Sequence, residues 1–339
     1  MNIRNALWIL ACLFAFSSCI KEDIENDSSD AIANFDLLWK TVDENYCFFE
    51  EKGVDWNTVR DKYRPMVTTA MSDTALFAIC SSMLNELKDG HVNLYSNFNT
   101  SRYWDWFLDY PQNFNWSIVE RNYLGKNCLI AGRLKAQKIR NVAYLRFESF
   151  SDVISYANVK KVFAQMGDVN GAIIDIRDNG GGYVSMSEEF ASCFFPEKKL
   201  VAYEKYKEGP GHSDFSNFFP QYIDPDSTVI FTGKIVVLTN HLVFSSANYF
   251  VSMMKTLPNV TIIGDVTGGG GGLPFSSELY NGWQVRLSRN PIVNANKESI
   301  ENGIQPDKKV NMNKIDEGNG FDSIIEFALD FIDGQKETD

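Results

Sequence analysis

The sequence is poor in the side chains that usually carry chemistry. Only three histidines occur in 339 residues, His91, His212 and His241, so any imidazole general base is one of these three. The six cysteines include no CxxC pair and no Cys/His spacing of a metal site. No phosphate-binding loop motif is present either, and no metal or other cofactor is expected. Positive charge is not in excess: 32 Lys and Arg against 44 Asp and Glu leave a net charge of −12. That balance disfavours nucleic acid as the main partner. The one pronounced apolar run near the start, Ala6 to Phe16, is shorter than the ~20 residues that span a bilayer. No internal repeat is evident.

What remains is a chain able to bury a large core. It is 44% hydrophobic, with 25 Phe, 14 Tyr and 7 Trp, and its length suits one or two domains. The first residues read as an export signal, with Arg4 before the apolar run. Ser17-Ser18-Cys19 resembles a bacterial lipobox. This predicts that residues 1–19 are a lipoprotein signal and that Cys19 becomes the lipid-carrying N-terminus. Residues 20–31 are acidic and polar and read as a flexible tether. Cys47, Cys80, Cys128 and Cys193 are expected mainly as small buried hydrophobes, and any disulfide pairing among them is not legible.

Residues 32–96 read as a small helical domain. Phe35, Leu38, Trp39, Val42 and Tyr46 recur at helical spacing. A second helix follows Asp55 as N-cap and stops at Pro65. A third runs from an Asp73 cap to Leu87, with Leu76, Phe77, Cys80, Met83, Leu84 and Leu87 as its apolar stripe. His91 then falls at a helix-to-strand junction, before the alternating Val92 to Tyr95. Residues 97–138 are an aromatic-rich connecting segment, too short for a full PDZ module. From 139 to 335, strands and helices alternate, which predicts an α/β layered catalytic domain. Helices are expected over Ser151 to Met166 and Ser185 to Phe194, and from Ser323 with a capping box to Glu326.

The stretch that organises this second part is Gly171 to Tyr183, GAIIDIRDNGGGY. A β-branched buried strand ends in three glycines, Gly180 to Gly182, and a helical segment follows. Strand, glycine turn and helix can aim backbone N–H groups at a negative charge, a phosphate or the oxyanion of acyl transfer. Ser245 follows another buried strand, KIVVLT at 234–239, and opens a helix. That position suits a nucleophilic hydroxyl, and equally an N-cap. Ser246 is its rival.

Five blocks in order, KDGHVNLYS, IIDIRDNGGG, VVLTNHLVFSSANYF, IIGDVTGGG and ENGIQPD, resemble the C-terminal processing (tail-specific) serine peptidases and the related tricorn protease core. The resemblance covers about 140 to 310, with the first block upstream. It implies a crotonase/Clp-like layered fold. It places the nucleophile on Ser245 and the oxyanion amides on Gly181 and Ser246. The lysine base of the processing branch falls on Gly270 and is therefore missing. The histidine base of the tricorn-like branch falls on His91, its acidic partner on Glu301, and its auxiliary serine on Gly90. Gly180 and His212, in glycine-rich loops, are candidates for the substrate side. The function implied is a lipid-anchored serine endopeptidase of the cell envelope, in the outer membrane or periplasm, acting on unfolded protein or peptide. A catalytically inactive peptide-binding lipoprotein on the same fold is the alternative. An acyl-CoA enzyme is the third, and the export signal argues against it. With an ordinary imidazole pKa of about 6.5, activity is expected to rise through that pH.

Overall fold

The computed structural model describes residues 30–225 and 230–334. Cys19, the export signal and the tether up to residue 29 lie outside the described residues. The architecture is α/β, of the crotonase/Clp-like layered kind, with a small helical region at the N-terminal side.

Four helices come first: α1 (Ala31–Asn45), α2 (Phe49–Lys52), α3 (Trp56–Tyr63) and α4 (Asp73–Asn85). Asp55 caps α3 as its position predicts, accepting from the amides of Asn57 and Thr58. For α4 the cap is Ser72, one residue before the expected Asp73. Their apolar stripes meet one another and also an adjoining sheet. Phe35, Leu38, Trp56, Phe77 and Leu84 share a core with Leu94, Trp283, Val285 and Leu287. The helices therefore cover an antiparallel sheet built from distant segments. In it β1 (Asn93–Tyr95), β2 (Thr100–Arg102), β7 (Lys199–Glu204), β8 (Phe219–Ile223) and β12 (Gln284–Asn294) follow the order β2-β1-β12-β7-β8, with β11 (Gly272–Glu278) also on β12.

The second sheet has seven strands. β13 (Lys308–Lys309), β10 (Val260–Gly264), β9 (Lys234–Thr239), β6 (Gly171–Asp175) and β5 (Val142–Arg146) are parallel neighbours in that order. β4 (Leu134–Ile139) and β3 (Leu129–Ala131) add antiparallel at the far edge. Because both faces are covered, the parallel strands are apolar throughout. Ala172, Ile174 and Val237 face a core shared with α5 (Tyr156–Met166), α6 (Val184–Ser192) and α7 (Ser246–Met254). Ile173, Val236 and Leu238 face the core under α8 (Ser323–Ile332). The expected helix from Ser151 starts only at Tyr156, capped by Ser155. The residues before it are held elsewhere: the Phe150 amide donates to the Gly181 carbonyl, and the Tyr183 amide to the Phe150 carbonyl.

The end of β6 is fixed by a buried charge network. Arg177 is fully buried and forks onto Asp175, with Nε to Oδ1 at 3.0 Å and Nη2 to Oδ2 at 2.6 Å. Its Nη1 reaches Asp322 Oδ2 at 2.9 Å and the Asn113 carbonyl at 3.1 Å. Burial pushes the Asp175 carboxyl up, but the Arg177 guanidinium outweighs it and holds the group below the usual carboxylate range. Asp322 also caps α8 through the amides of Ile324 and Ile325. The capping box expected from Ser323 to Glu326 is thus not formed: the Ser323 hydroxyl donates to Asp316, and Glu326 accepts from Tyr123 and Arg140. Cys47, Cys80, Cys128 and Cys193 form no disulfide among the described residues, and burial pushes the Cys80 thiol up to about 12.

Removing one partner of a buried ion pair strands the other, at a cost of about 3–5 kcal/mol. Arg177→Met is therefore expected to lower the unfolding free energy by that amount, measured by urea denaturation. A loss within 1 kcal/mol, on the order of a surface substitution, would show that the network does not hold the sheet end.

Candidate active site

Ser245 stands between β9 and α7 with φ 59° and ψ −126°, a backbone state that costs an L-residue on the order of 1–3 kcal/mol. Three backbone bonds impose it. The Ser245 amide donates to the Gly269 carbonyl at 2.8 Å, the Phe244 amide to Asn179 at 3.1 Å, and the Gly268 amide to Val243 at 2.8 Å. The turn lifts the hydroxyl out of the helix while the amide of Ser246, in the first helical turn, has no intrahelical acceptor. Ser246 Oγ is buried with no hydrogen-bond partner.

His91 comes from the loop between α4 and β1. Its Nε2 lies 2.9 Å from Ser245 Oγ. The ring is 3% exposed and packs on Phe244 at 4.6 Å between centroids. Burial drives its pKa down to about 4; the nearby Asp89 charge opposes this, and Arg286, Arg102 and Lys52 add to it. The imidazole is therefore neutral at physiological pH, as a general base requires. For Nε2 to accept the serine proton, the ring hydrogen must be on Nδ1, and Nδ1 is buried without a partner.

The glycine turn meets the serine directly. Gly181 has φ 95°, and a Cβ there would stand 2.8 Å from Ser245 Cβ and 3.0 Å from the Ser246 nitrogen. Only glycine fits. Its own amide, however, donates to Asn179 Oδ1 at 3.0 Å. Gly180 is exposed, with open space where a side chain would be.

Glu301 is buried but does not bond the imidazole. Its Oε1 pairs with Lys52 Nζ at 2.9 Å and its Oε2 accepts the Gly271 amide at 2.8 Å. His212 pairs with Asp43 at 2.8 Å and stacks on Phe49 at 4.3 Å, contacts that belong to the helical region rather than to Ser245. His241 has its ring nitrogens 3.2 Å from the Val266 carbonyl and 3.0 Å from that of Trp106, which turns it away from the serine.

Two residues at the site escape a reading of sequence spacing. Asp89 accepts the His91 amide at 2.7 Å, the Tyr46 hydroxyl at 3.0 Å and the Ser288 hydroxyl at 3.1 Å. Its place two residues before His91 was the available signal. Lys52 reaches in from α2, and no local pattern points to it.

Space explains the missing family residues. A Cβ at Gly270 (φ 82°) would be 2.7 Å from Phe244 Cζ and 3.0 Å from His91 Cε1. The imidazole and the phenyl ring fill the room a side chain there would need. At Gly90 a Cβ would lie 3.0 Å from Trp106 Nε1, so the indole occupies that space. This nitrogen is buried without a partner.

A hydroxyl on a strained strand–helix turn, with a neutral imidazole in hydrogen-bond contact, is the nucleophile–base chemistry of the serine hydrolases. Comparison with known families narrows this class. The sequence model of peptidase family S41 matches residues 141–310 and that of the tricorn protease C1 domain matches residues 31–85. A crystal structure of a candidate peptidase from Parabacteroides merdae ATCC 43184 is 44% identical, with a TM-score of 0.86 over 90% of this chain and 97% of that one. The chain belongs to peptidase family S41, whose members are serine peptidases. The carboxy-terminal processing protease CtpA of Bacillus subtilis (strain 168) is 24% identical over 177 residues, 52% of this chain but only 36% of that protein. Mature CPAF shares the fold, with a TM-score of 0.68 at 12% identity over 91% of this chain and 98% of that one.

The burial of His91 corrects the expectation of an ordinary imidazole. A base whose pKa is depressed on folding adds stability that is complete above the unfolded value, about 6.5, and is lost as pH falls toward the folded value. An NMR titration of the three histidines is expected to show one ring, absent in His91→Gln, that stays neutral until about pH 4. An inflection near 6.5 for that ring would mean it is solvated.

Proposed function

We propose that this chain is a serine endopeptidase of the cell envelope that cleaves unfolded protein or peptide substrates. The observation that carries the reading is the 2.9 Å approach of His91 Nε2 to Ser245 Oγ on the strained turn. Ser245 attacks the scissile carbonyl while His91 takes its proton, and the imidazolium then protonates the leaving amine. The charge developing on the carbonyl oxygen is met by the Ser246 amide and by Gly181, whose amide must share its hydrogen with Asn179 Oδ1 or release it. The Asp89 carboxylate, held by three donors, supplies a fixed negative charge near the imidazolium. Glu301 acts at one remove, through the backbone it holds. Gly180 is open to the substrate side. The contacts of His212 with Asp43 and Phe49 give it no part in the chemistry.

Ser245→Ala and His91→Ala are each expected to remove most hydrolysis of an unfolded, casein-like protein, on the order of 10⁴- to 10⁶-fold, with the double variant little worse because the pair acts as a unit. The rate should already have passed its acid limb by pH 5, since His91 loses its proton near pH 4. Equal rates for wild type and His91→Ala would remove the histidine base.

A protein that binds peptide without cutting it is the second reading. The unpartnered His91 Nδ1 and the engaged Gly181 amide favour it. A fluorophosphonate probe separates the two. Labelling that is lost in Ser245→Ala and kept in Ser246→Ala supports the enzyme; no labelling of the wild type supports the binder.

Placement in the envelope rests on Ser17-Ser18-Cys19 and the polar stretch that follows. No helix among the described residues is long and apolar enough to cross a membrane, so attachment would fall to lipid on Cys19. Cys19→Ala is expected to move the protein from the membrane fraction to the soluble fraction. Unchanged partition would rule the anchor out.

A further inference from the structure

Resting on Ser245 and His91 as the reacting pair, we propose that Lys52 is a positioning residue for catalysis. From α2 it clamps the Glu301 carboxylate and, through it, the Gly270–Gly271 backbone against His91. The chain of contacts is short. Lys52 Nζ lies 2.9 Å from Glu301 Oε1, and their side chains are 15% and 3% exposed. Glu301 Oε2 accepts the Gly271 amide at 2.8 Å, while the Glu301 carbonyl accepts the Gly270 amide at 3.0 Å. Gly270 lies against the imidazole, at Cε1. One residue thus fixes two successive amides of the backbone that walls His91.

The neighbouring residue of α2 makes the same junction. Glu51 accepts the Ser299 hydroxyl at 2.7 Å and the Asn302 amide group at 3.0 Å. Gly53, at φ 63°, ends the helix there, and Phe49 anchors it among Tyr46 and Trp56. The helix is therefore a rigid mount for Lys52, one end in the helical core and the other on the 299–302 loop.

A lysine buried this far normally loses affinity for its proton. Burial does pull Lys52 down, but Glu301 and Asp89 outweigh it and leave its pKa raised. Burial and the Asp89 charge push Glu301 up to about 8, against the opposing pull of Lys52 and the Gly271 amide. One cation thus faces two buried carboxylates, and this crowding holds Glu301 above the usual carboxylate range. Tyr46 and Cys47 feel the Glu301 charge from the helical side and Glu51 faces Lys52, while on the catalytic side Lys52 acts on His91 together with Asp89, Arg102 and Arg286. Ionisation of Glu301 then adds a negative charge behind the imidazole, and Lys52 sets the pH at which it happens.

The test reads the His91 Cε1–H resonance against pH, which needs no turnover. Wild type is expected to show an alkaline inflection as Glu301 ionises. Glu301→Gln should abolish it. Lys52→Met removes the cation that lowers the Glu301 pKa, so the inflection should move up by about one pH unit or more; Lys52→Arg should leave it in place. With an unfolded protein substrate, Lys52→Met should lose about 10- to 100-fold in kcat with KM little changed, as for a misplaced catalytic group. The loss should recover with rising pH and be absent in Lys52→Arg. Lys52→Arg also keeps the test decisive where Lys52→Met fails to fold. An inflection that Lys52→Met leaves unmoved overturns the clamp, as does a kcat loss that neither pH nor arginine restores. A displaced inflection in a protein that cleaves no peptide supports the clamp and counts only against the peptidase reading.

Discussion

The site depends on one steric constraint: Ser245 is held in a backbone state that L-residues avoid. A strain on the order of 1–3 kcal/mol persists only where the surroundings over-determine it. Here they are the glycine run on one side and the glycine turn on the other. The Gly269 carbonyl takes the Ser245 amide, and Gly181 presses against Ser245 Cβ with no side chain of its own. The glycine turn in turn is placed by Arg177, which ties the end of β6 to the cap of α8. A buried ion network on one face of the sheet thereby sets the geometry of a hydroxyl on the other.

Electrostatics follows from the same packing. Phe244 and Trp106 stack at 4.7 Å and close off His91, and this desolvation costs the imidazole its usual basicity. A neutral base is gained across the physiological range, but a weak one. In the proposed mechanism the deficit falls on the transition state, where the imidazolium forms. The charge that helps there is Asp89, whose oxygens are already occupied by three donors and need no reorganisation.

Much of this was legible in the sequence, and the reasons differ by residue. With three histidines in the chain, a base had few candidates, and the resemblance to the tricorn-like branch chose His91 among them. For Ser245 the position between a buried strand and a helix fitted a nucleophile and an N-cap equally, and the order of the family blocks chose it. The parallel sheet announced itself through apolar runs such as KIVVLT. The antiparallel sheet did so only in part, through runs such as the alternating Val92 to Tyr95. β11 begins inside a glycine run and carries Pro274 beside a register shift, so it reads as loop; such a proline is tolerated only at an edge or bulge. Asp322 and Ser323 are both good caps, and only the tertiary partner Arg177 decides between them. The direct orienting role expected of Glu301 was read from the family pattern, whereas its actual partners, Lys52 and the Gly271 amide, depend on how the helical region docks.

That docking changes what the helical region is for. Its apolar stripes meet one another and also β1 and β12, so its core is completed by the sheet that His91 leads into. Tyr46 at the end of α1 donates to Asp89, and Lys52 on α2 holds Glu301. Both carboxylates near the imidazole therefore take a partner from the first sixty residues. Burying two carboxylates without such partners would be costly. Tyr46 and the His91 amide share Asp89, so a shift of α1 cannot leave the candidate site as it was.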